Sequence, residues 1–567
     1  MRPIALLLLP LCLLAFFGIA GVGCDGCGSQ ATPAQEAAAP LAAVPLPTGV
    51  LAEAVLPTPD ATWRTVQGTV GGMLSFLAPT FSGLLGATAG APGLSGLVET
   101  DSPAYVVLGE GQGLHYAVAL RANEAAATSW AGSDAGSSGF GSGFAHASGT
   151  EAEMKVFEPN TPDGPWIGVP SGNFVVVATS HDDLVRLGPY AFRTLPQAPL
   201  PKDPALFHVS HDGVQRLGAL AAARWTDEKG ELLAKDEEQR KAHGGRAPDH
   251  GDPRALVAAV DRWVGSWLDA GRDMTSADVS LVPLEGTDRA LALALVLAPP
   301  AAGPARALVD AMRPGEMHAL EGAPDGVLLA IESRSDAAER ARTATDLAKD
   351  AEDVFRLSPA DRDALALDLG AWADARTDEV VFGFGVAPAR SLFVRATVKD
   401  EAAGGKAFAS LVRRADAPSI HDVWRNALDV TNVHTAPRSA PGVGAGTLVT
   451  LDRKPGASPI LPQKLGLFYT AQRGELVAAG AEDAPSALSA MLGGGKRLGD
   501  DVHVREALAR VRGRGAFVVV ARPLLVAAAP RSDTAIFAAG RDGDRAMLRL
   551  EATGTLLREL VRLLQTD

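Results

Sequence analysis

At 567 residues the chain is too long for one ordinary hydrophobic core, so two domains or a duplicated architecture are expected. The composition, 47% hydrophobic and 21% charged, is that of a folded protein, and a formal net charge of −14 without a Lys/Arg-rich block argues against nucleic acid as a partner. Cys12, Cys24 and Cys27 lie within the first thirty positions, which excludes a disulfide framework or a cysteine-based zinc site in the rest of the chain.

The first 23 residues have the pattern of a signal peptide. Arg2 supplies a short positive region, and residues 4–20 form an apolar run without charge. The sequence Gly-Val-Gly-Cys that ends at Cys24 resembles the lipobox of bacterial lipoprotein precursors, with Gly21 where Leu is usual. This resemblance implies that residues 1–23 are removed, that Cys24 carries lipid, and that the protein is held by this lipid on a cell-envelope membrane, facing the periplasm or the cell surface. Ordinary secretion and an uncleaved membrane anchor are the alternatives.

Residues 24–48 form a Pro/Ala-rich stretch after the lipobox. They contain AAAPLAAVPLPT and offer little surface that a folded core could bury. Such a composition is typical of an extended linker. We therefore interpret this stretch as a tether that holds the folded body off a membrane surface.

The remainder of the chain repeats itself. Five segments recur in the same order, displaced by roughly 250 to 310 residues, which is more than a chance match would give. The first copies begin at Gly49, Pro103, Trp166, Pro204 and Ala277, and their counterparts begin at Gly326, Asp378, Leu467, Gly515 and Thr534. The pattern predicts an internal duplication, with one half at residues 49–314 and the other at residues 326–567.

Each half is predicted to be an α+β unit of antiparallel β-hairpins, each followed by a helix, with the helices packed on one face of the sheet. From Leu392 to Lys399, Leu392, Val394, Ala396 and Val398 alternate with Phe393, Arg395, Thr397 and Lys399. A period of two is expected where one face of a sheet meets solvent, and it favours antiparallel strands.

Two insertions distinguish the halves. Residues 131–143 (AGSDAGSSGFGSG) have the composition of a flexible Gly/Ser loop, and residues 226–252 form a charged helix or loop found in the first half alone. The serines of the first insertion do not form a Gly-x-Ser-x-Gly nucleophile elbow. The stretch LGGGKRLG around Lys496 lacks phosphate-loop spacing and is interpreted as a helix C-cap and turn.

Histidine and carboxylate residues offer weak candidates for metal ligation. His208, His211 and Asp212 are close in sequence, and the charged insertion contains a second set, His243, His250 and Asp252. Neither set matches a known helical ligand pair, so we expect no metal and no cofactor. His208 is interpreted as a hydrogen-bonded structural residue on a strand.

The segment between Arg64 and Glu99 contains no charged residue, whereas the matching helix of the second half is rich in charge. The charged helix can face water with Ala344, Leu347, Ala351 and Val354 directed inward. The uncharged segment is interpreted as buried between the halves or, alternatively, as lining an apolar groove or contacting lipid or a partner. Its candidate contact residues are Met73, Leu74, Phe76, Leu77, Phe81 and Leu84.

The sequence leaves the function in three classes. The leading hypothesis is a non-enzymatic, lipid-anchored envelope protein whose body binds a protein partner, a lipid or an apolar ligand. An anchored or secreted hydrolase, with a site assembled from scattered residues, is the runner-up. A purely structural envelope protein is the third class. No catalytic residue is assigned, and Cys24 is the residue to which we assign a chemical role.

Overall fold

The computed structural model of the chain describes residues 42–111, 115–127, 140, 144–160, 164–170, 173–242, 252–284, 289–385, 390–415, 417–427, 429–455, 464–526 and 533–564. The chain divides into two compact units. Unit 1 comprises Met1–Leu217, Met274–Ala298 and Ala552–Asp567, and unit 2 comprises Gly218–Asp273 and Pro299–Glu551. This division differs from the two predicted halves, because residues 218–273 group with unit 2 and residues 552–567 group with unit 1. The halves themselves stay a prediction about the ancestry of the sequence.

Both units mix helix with antiparallel sheet, which confirms the predicted α+β class and the predicted strand direction. In the described part of unit 1, strands pair in the order β4-β5-β6-β7-β3-β2-β1-β8-β9-β10, and every neighbouring pair is antiparallel. The strands are β1 (Val50–Leu56), β2 (Ala104–Gly109), β3 (His115–Arg121), β4 (Phe144–Glu151), β5 (Met154–Pro159), β6 (Trp166–Pro170), β7 (Phe174–Ala178), β8 (Ala205–Val209), β9 (Ser276–Leu284) and β10 (Ala290–Ala298).

The helices of unit 1 connect or flank these strands. In the described part of this unit they include α1 (Pro59–Val70), α2 (Phe81–Thr88), α3 (Leu94–Leu97), α4 (His181–Arg193), the start of α5 (His211–Ala242), and α15 (Gly554–Leu564), with short 3-10 turns at Gly72–Phe76 and Leu195–Gln197. Helix α1 begins with a proline, whose fixed φ suits the first helical turn. Thr80 and Ser180 begin α2 and α4 by accepting a backbone N–H with their side-chain oxygens.

In unit 2 the strands pair in the order β14-β15-β16-β17-β13-β12-β11-β18-β19-β20. These strands are β11 (Val327–Arg334), β12 (Arg376–Gly385), β13 (Ser391–Val398), β14 (Val430–Ala440), β15 (Gly444–Arg453), β16 (Lys464–Gln472), β17 (Glu475–Ala481), β18 (Gly515–Ala521), β19 (Ala535–Asp542) and β20 (Arg545–Thr553). The predicted alternation in β13 is confirmed at Ala396 and Val398, which are buried. It is wrong at the start of the strand, where Leu392 is exposed and Phe393 is buried.

Unit 2 also contains most of α5 and the following helices: α6 (Pro253–Arg272), α7 (Pro304–Ala311), α8 (His318–Glu321), α9 (Ala337–Phe355), α10 (Pro359–Ala375), α11 (Glu401–Arg414), α12 (Pro418–Ala427), α13 (Ala484–Leu492) and α14 (Val502–Val511), with 3-10 turns at Leu498–Asp500 and Pro523–Val526. The predicted turn near Lys496 is confirmed, because Gly493 ends α13 and donates its N–H to Ser489. On α9, Ala344 and Val354 are buried as expected, whereas the prediction for Leu347 is wrong, since its side chain is exposed.

The sheet of unit 1 is buried on both faces near β3 and β7. Val175 and Val177 of β7 belong to a core cluster with Leu85 and Leu94. The alternating residues Val176 and Ala178 belong to a second cluster that includes Leu184 and Leu187 of α4. Successive side chains of a strand point to opposite faces, so the helical segments cover both of them. The prediction that helices pack on one face is therefore not confirmed for unit 1.

The two strand orders correspond position by position, from β4 and β14 at one end of each order to β10 and β20 at the other. The register agrees as well, because Val50 lies opposite Gly109 and Val327 lies opposite Gly385. A β-bulge follows at the same place in β1 and β11. Each of the five recurring sequence segments occupies equivalent strands in the two units.

Candidate functional site

The strongest candidate for a functional site lies in unit 1, where β3 begins and β7 ends. The two strands are antiparallel neighbours, so the first residue of β3 is brought close to the helix that follows β7. That helix is α4, and Ser180 caps it by accepting the N–H of Asp183 at 3.1 Å. Neighbouring strands and a capped helix thus bring His115 and Asp183 together although 68 positions separate them.

The carboxylate of Asp183 is the centre of this site. Its side chain is 2% exposed. Nδ1 of His115 lies 2.8 Å from Asp183 Oδ2, and the Ser180 hydroxyl donates to the same oxygen at 2.7 Å. The other oxygen accepts from Nη2 of Arg186 at 3.1 Å. These donors satisfy a buried charge that would be costly without them, and the carboxylate in turn fixes the orientation of the imidazole ring.

The cleft around Asp183 has a volume of about 560 Å³, and we call it the Asp183 cleft. Glu110, Glu151 and Asp182 line it in addition to the residues that contact Asp183. His181 also lines it, with its Nε2 2.9 Å from Glu151 and its ring edge-to-face against Trp166 at a centroid distance of 4.7 Å. The lining carries more carboxylates than guanidinium groups, so its field attracts positive charge.

The contacts of Ser180 argue against a serine nucleophile. In a Ser-His-Asp relay the hydroxyl is bonded to the imidazole, which is bonded in turn to the carboxylate. Here the hydroxyl of Ser180 and the ring of His115 both contact Asp183 Oδ2. The arrangement can orient an imidazole and hold a polar ligand, but it does not activate Ser180.

Residues 42–48 contact α4, the helix that carries Asp183. Arg193 Nε donates to the carbonyl of Ala42 at 2.7 Å, and the Thr194 hydroxyl bonds to both the N–H and the carbonyl of Val44. Arg186 donates from Nη1 to the carbonyl of Thr48 at 3.2 Å. Residues 42–48 are therefore attached to α4 and to the residue that follows it.

Unit 2 has different residues at the equivalent positions. His115 lies opposite Gly109 in β3, and Ser391 lies opposite Gly385 in β13. Asp183 is the third residue of α4, and the third residue of α13 is Ser486. In the same way the position of Arg186 corresponds to that of Ser489. The unit 2 sheet thus forms with serines where unit 1 has the histidine, the carboxylate and the guanidinium.

Cys24, to which the lipid was assigned, lies outside the described residues, as do Cys12, Cys27 and the signal-peptide segment. The same holds for His243 and His250, and for residues 131–143 apart from Phe140, which is buried. Asp252, the last member of the second candidate metal set, is the N-cap of α6 and accepts from Arg240 at 2.7 Å.

The first candidate metal set is engaged in other contacts. Nδ1 of His208 lies 2.7 Å from Asp278 Oδ1 on the adjacent strand, and Nδ1 of His211 lies 3.1 Å from the carbonyl of Met274. Asp212 is in the first turn of α5. Within the described residues, no group of three or more histidine, cysteine or acidic side chains is arranged to hold a metal ion.

The apolar candidates from the uncharged segment pack largely within unit 1. Leu84 is buried in a cluster with Trp63 and Val66, and this cluster is joined by the partly buried Leu74, Leu77 and Phe81. Phe76 points outward and is 86% exposed. The side chain of Met73 lies outside the described residues. The interpretation of this segment as an interface between the halves stays a prediction.

A second polar cluster lies in unit 2. Its two neighbouring carboxyl groups belong to Glu332 and Glu379, and we call them the Glu332 pair. Glu332 of β11 has no exposed surface and accepts the N–H of Leu320 at 3.1 Å. Burial, followed by the charge of the neighbouring Glu379, raises the pKa of Glu332 to about 8. Arg334 lies 3.7 Å from Glu332 and 3.5 Å from Glu379. A proton held between the buried carboxyl group of Glu332 and the partly buried one of Glu379 explains this arrangement better than two charges would.

Neither protein-family models, nor curated proteins, nor solved structures match this chain. The functional inference therefore depends on the geometry of the chain itself.

Sequence reasoning missed His115 and Arg186. The run His181-Asp182-Asp183 after an apolar strand predicts a helix start with an Asp as its cap, and the structure instead has Ser180 as the cap and Asp183 in the first turn of α4. His115 stands alone in QGLHYAVAL, and no spacing rule connects it with Asp183. The pairing of β3 with β7 was the information required.

Proposed function

We propose that this chain is a lipid-anchored cell-envelope protein whose body is a non-enzymatic binding module, with the Asp183 cleft as its ligand site. The N-terminal pattern supports the anchor at Cys24 and a location facing the periplasm or the cell surface. A second part of the proposal is that the two units descend from an internal duplication. The shared strand order, the shared register and the shared β-bulge support it.

The observation that carries the binding role is the difference between the units. The unit 2 sheet has Ser391, Ser486 and Ser489 where unit 1 has His115, Asp183 and Arg186, so this type of sheet does not need the cluster in order to fold. A buried carboxylate with charged donors is costly to assemble. Its presence beside a cleft is better explained by ligand binding than by stability.

The cleft favours a small polar ligand that carries positive charge. Glu110, Glu151 and Asp182 face it, and a carboxylate-rich lining attracts ammonium or guanidinium groups. The apolar ligand suggested by the sequence has less support, since Leu84 is buried and Leu74, Leu77 and Phe81 pack against its cluster.

Titration calorimetry with spermidine tests the ligand site. The wild-type chain is expected to bind spermidine more weakly as salt increases, and the Glu110→Gln/Asp182→Asn variant is expected to lose about tenfold or more in affinity. Glu482→Gln, an exposed carboxylate beside α13 in unit 2, is the matched control and should leave binding unchanged. Equal affinities in all three proteins, or no binding in any, would refute this ligand class.

Metabolic labelling with a palmitate analogue tests the anchor. The wild-type chain is expected to incorporate the label, Cys24→Ala to lose it and Cys27→Ala to keep it. Label retained by Cys24→Ala would exclude the proposed attachment site.

An anchored hydrolase is the alternative, and the His115–Asp183 contact is the observation that favours it. A fluorophosphonate probe, which reacts with activated serines, separates the two functions. We expect Ser180 to stay unlabelled, because its hydroxyl is bonded to Asp183. Covalent labelling of Ser180 would refute the non-enzymatic binding function and support a hydrolase.

A further inference from the structure

Helix α6 in unit 2 directs apolar side chains outward. Leu256, Val260, Trp263 and Trp267 follow one another at spacings of four, three and four residues, which places them on one face of the helix. They are 53%, 38%, 60% and 37% exposed, respectively. The two tryptophan rings meet edge to face, with centroids 6.2 Å apart. We call these four residues the Trp stripe.

Several charged residues of α6 form ion pairs or hydrogen bonds with neighbouring helices of unit 2. Asp261 accepts from Nε1 of Trp225 at 2.7 Å and pairs with Lys229 at 3.0 Å. Arg254 pairs with the buried Asp236 at 2.9 Å, and Arg262 pairs with Asp350 of α9. An ordinary surface helix packs its apolar face inward and exposes its polar face. Helix α6 is apolar on two sides, because Val257, Val264 and Leu268 are partly buried against the unit and the Trp stripe is left exposed in addition to them.

The area of the Trp stripe is small for a protein partner. A large aromatic side chain can bury roughly 150–250 Å². With the exposures above, the four residues offer less than about 400 Å², whereas a stable protein interface takes about 800 Å² from each partner. A second copy of the chain would need much more contact than this strip supplies. A lipid surface has no such minimum when another anchor already holds the protein nearby.

The tether supplies that anchor, and at this point the inference rests on the proposed function. Because residues 42–48 are attached to α4, the tether that remains is residues 24–41, and an extended chain of these 18 residues spans about 56 Å at ~3.1 Å per residue. A body held within this distance meets the membrane at high effective concentration. Tryptophan is also the side chain that prefers the boundary between lipid headgroups and acyl chains.

We propose that the Trp stripe lies in the headgroup region of the membrane to which the chain is anchored. From Leu256 to Trp267 the stripe is about 16 Å long, at 1.5 Å per residue. It contacts the lipid surface along the side of α6. In the described part of the chain, no helix has both the length and the apolar character needed to cross a bilayer.

Quenching of tryptophan fluorescence tests the proposal with the full chain bound to phosphatidylcholine vesicles whose acyl chains are brominated. Two of the eight tryptophans belong to the Trp stripe, so we expect partial quenching. Trp263→Phe/Trp267→Phe is expected to abolish the quenching, and Trp372→Phe in α10 should leave it unchanged. Trp263→Glu/Trp267→Glu should also abolish it, while label at Cys24 and membrane fractionation stay as in the wild type.

The outcomes separate this proposal from the proposed function. A lipid-labelled chain without quenching overturns membrane contact and leaves the anchor intact. Quenching of the two stripe tryptophans in a chain without lipid label overturns the anchor and leaves the contact intact. A concentration-dependent doubling of the mass of the protein, abolished by Trp263→Glu/Trp267→Glu, would assign the stripe to a second copy and overturn the proposal.

Discussion

Units 1 and 2 arrange the same order of strands around different buried polar groups. In unit 1 the polar residues lie where β3 and α4 begin, and they line an accessible cleft. In unit 2 those positions carry serines, and the buried carboxyl group lies in the middle of β11 at Glu332. The position of Glu332 corresponds to Val55 in β1, because these residues lie opposite Val381 and Tyr105 in matching registers. Neither polar cluster is thus a requirement of the sheet, and each is a property of one unit.

The largest effect on the free energy of unfolding is expected when Glu332 is replaced by a residue that cannot ionise. The pKa of Glu332 rises from 4.5 to about 8 on folding, so the folded unit holds an extra proton between these values. The stability that this group contributes is therefore present below pH 4.5 and is lost as the pH rises through 8. At about 1.4 kcal/mol per unit, the loss is on the order of 5 kcal/mol at most. Glu332→Gln should remove the loss and make unit 2 more stable than the wild type at pH 9.

The measurement is urea unfolding at pH 5 and at pH 9. After equilibration in urea, a pulse of hydrogen-exchange labelling at one fixed pH reports how much of each unit is unfolded. The control region is β1, where Val55 occupies the matching position and should show no comparable dependence. An unchanged pH dependence of β11 in Glu332→Gln would show that another group causes it.

A smaller effect is expected from Asp183. Asp183→Ala leaves Arg186 and His115 without their carboxylate and should lower the free energy of unfolding of unit 1 by about 3 kcal/mol. The matched change in unit 2 is Ser486→Ala, at the same position of α13, and we expect less than about 1 kcal/mol. Urea unfolding of both variants provides the comparison. Equal losses would mean that the Asp183 cluster stabilises its unit no more than an ordinary helix start does.

The smallest effect is expected at the contact between Tyr190 and Glu53. The Tyr190 hydroxyl donates to Glu53 at 2.8 Å, and burial followed by this carboxylate raises the pKa of Tyr190 well above its usual value. Tyr190→Phe should cost about 1 kcal/mol, the usual net value of one hydrogen bond. Absorbance titration provides a second measurement, because Tyr190→Phe should remove a tyrosine that resists ionisation at alkaline pH. No change in either quantity would contradict the role of this contact.

Much of the fold could be predicted because it depends on local patterns. The paired segments beginning at Gly49 and Gly326 mark β1 and β11, and period-two alternation marked the antiparallel strands. The predicted face of each side chain was wrong where packing across strands decides burial, as at Leu392 and Phe393. The charged insertion was expected in the first half, and its residues 226–242 instead group with unit 2.

The candidate site could not be predicted, because its chemistry comes from distant positions. The local sequence predicts a helix start at Asp183. It predicts no role for His115, whose position beside Asp183 follows from the pairing of β3 with β7. The Trp stripe was missed for a different reason. The spacing of its residues is that of a core-facing helix, and the exposure of Trp263 and Trp267 in the folded unit shows that this face points outward.

The attachment of residues 42–48 to α4 has a mechanical consequence. If the chain is tethered through its N-terminus, tension between the membrane and the body enters unit 1 at Ala42 and Val44 and is borne by Arg193 and Thr194. Arg186, which holds Asp183, also holds the carbonyl of Thr48. A pulling force would reach the helix of the Asp183 cleft before it reached the strands of the sheet. The Asp183 cleft thus lies beside the first helix of unit 1 to which a force on residues 42–48 would be transmitted.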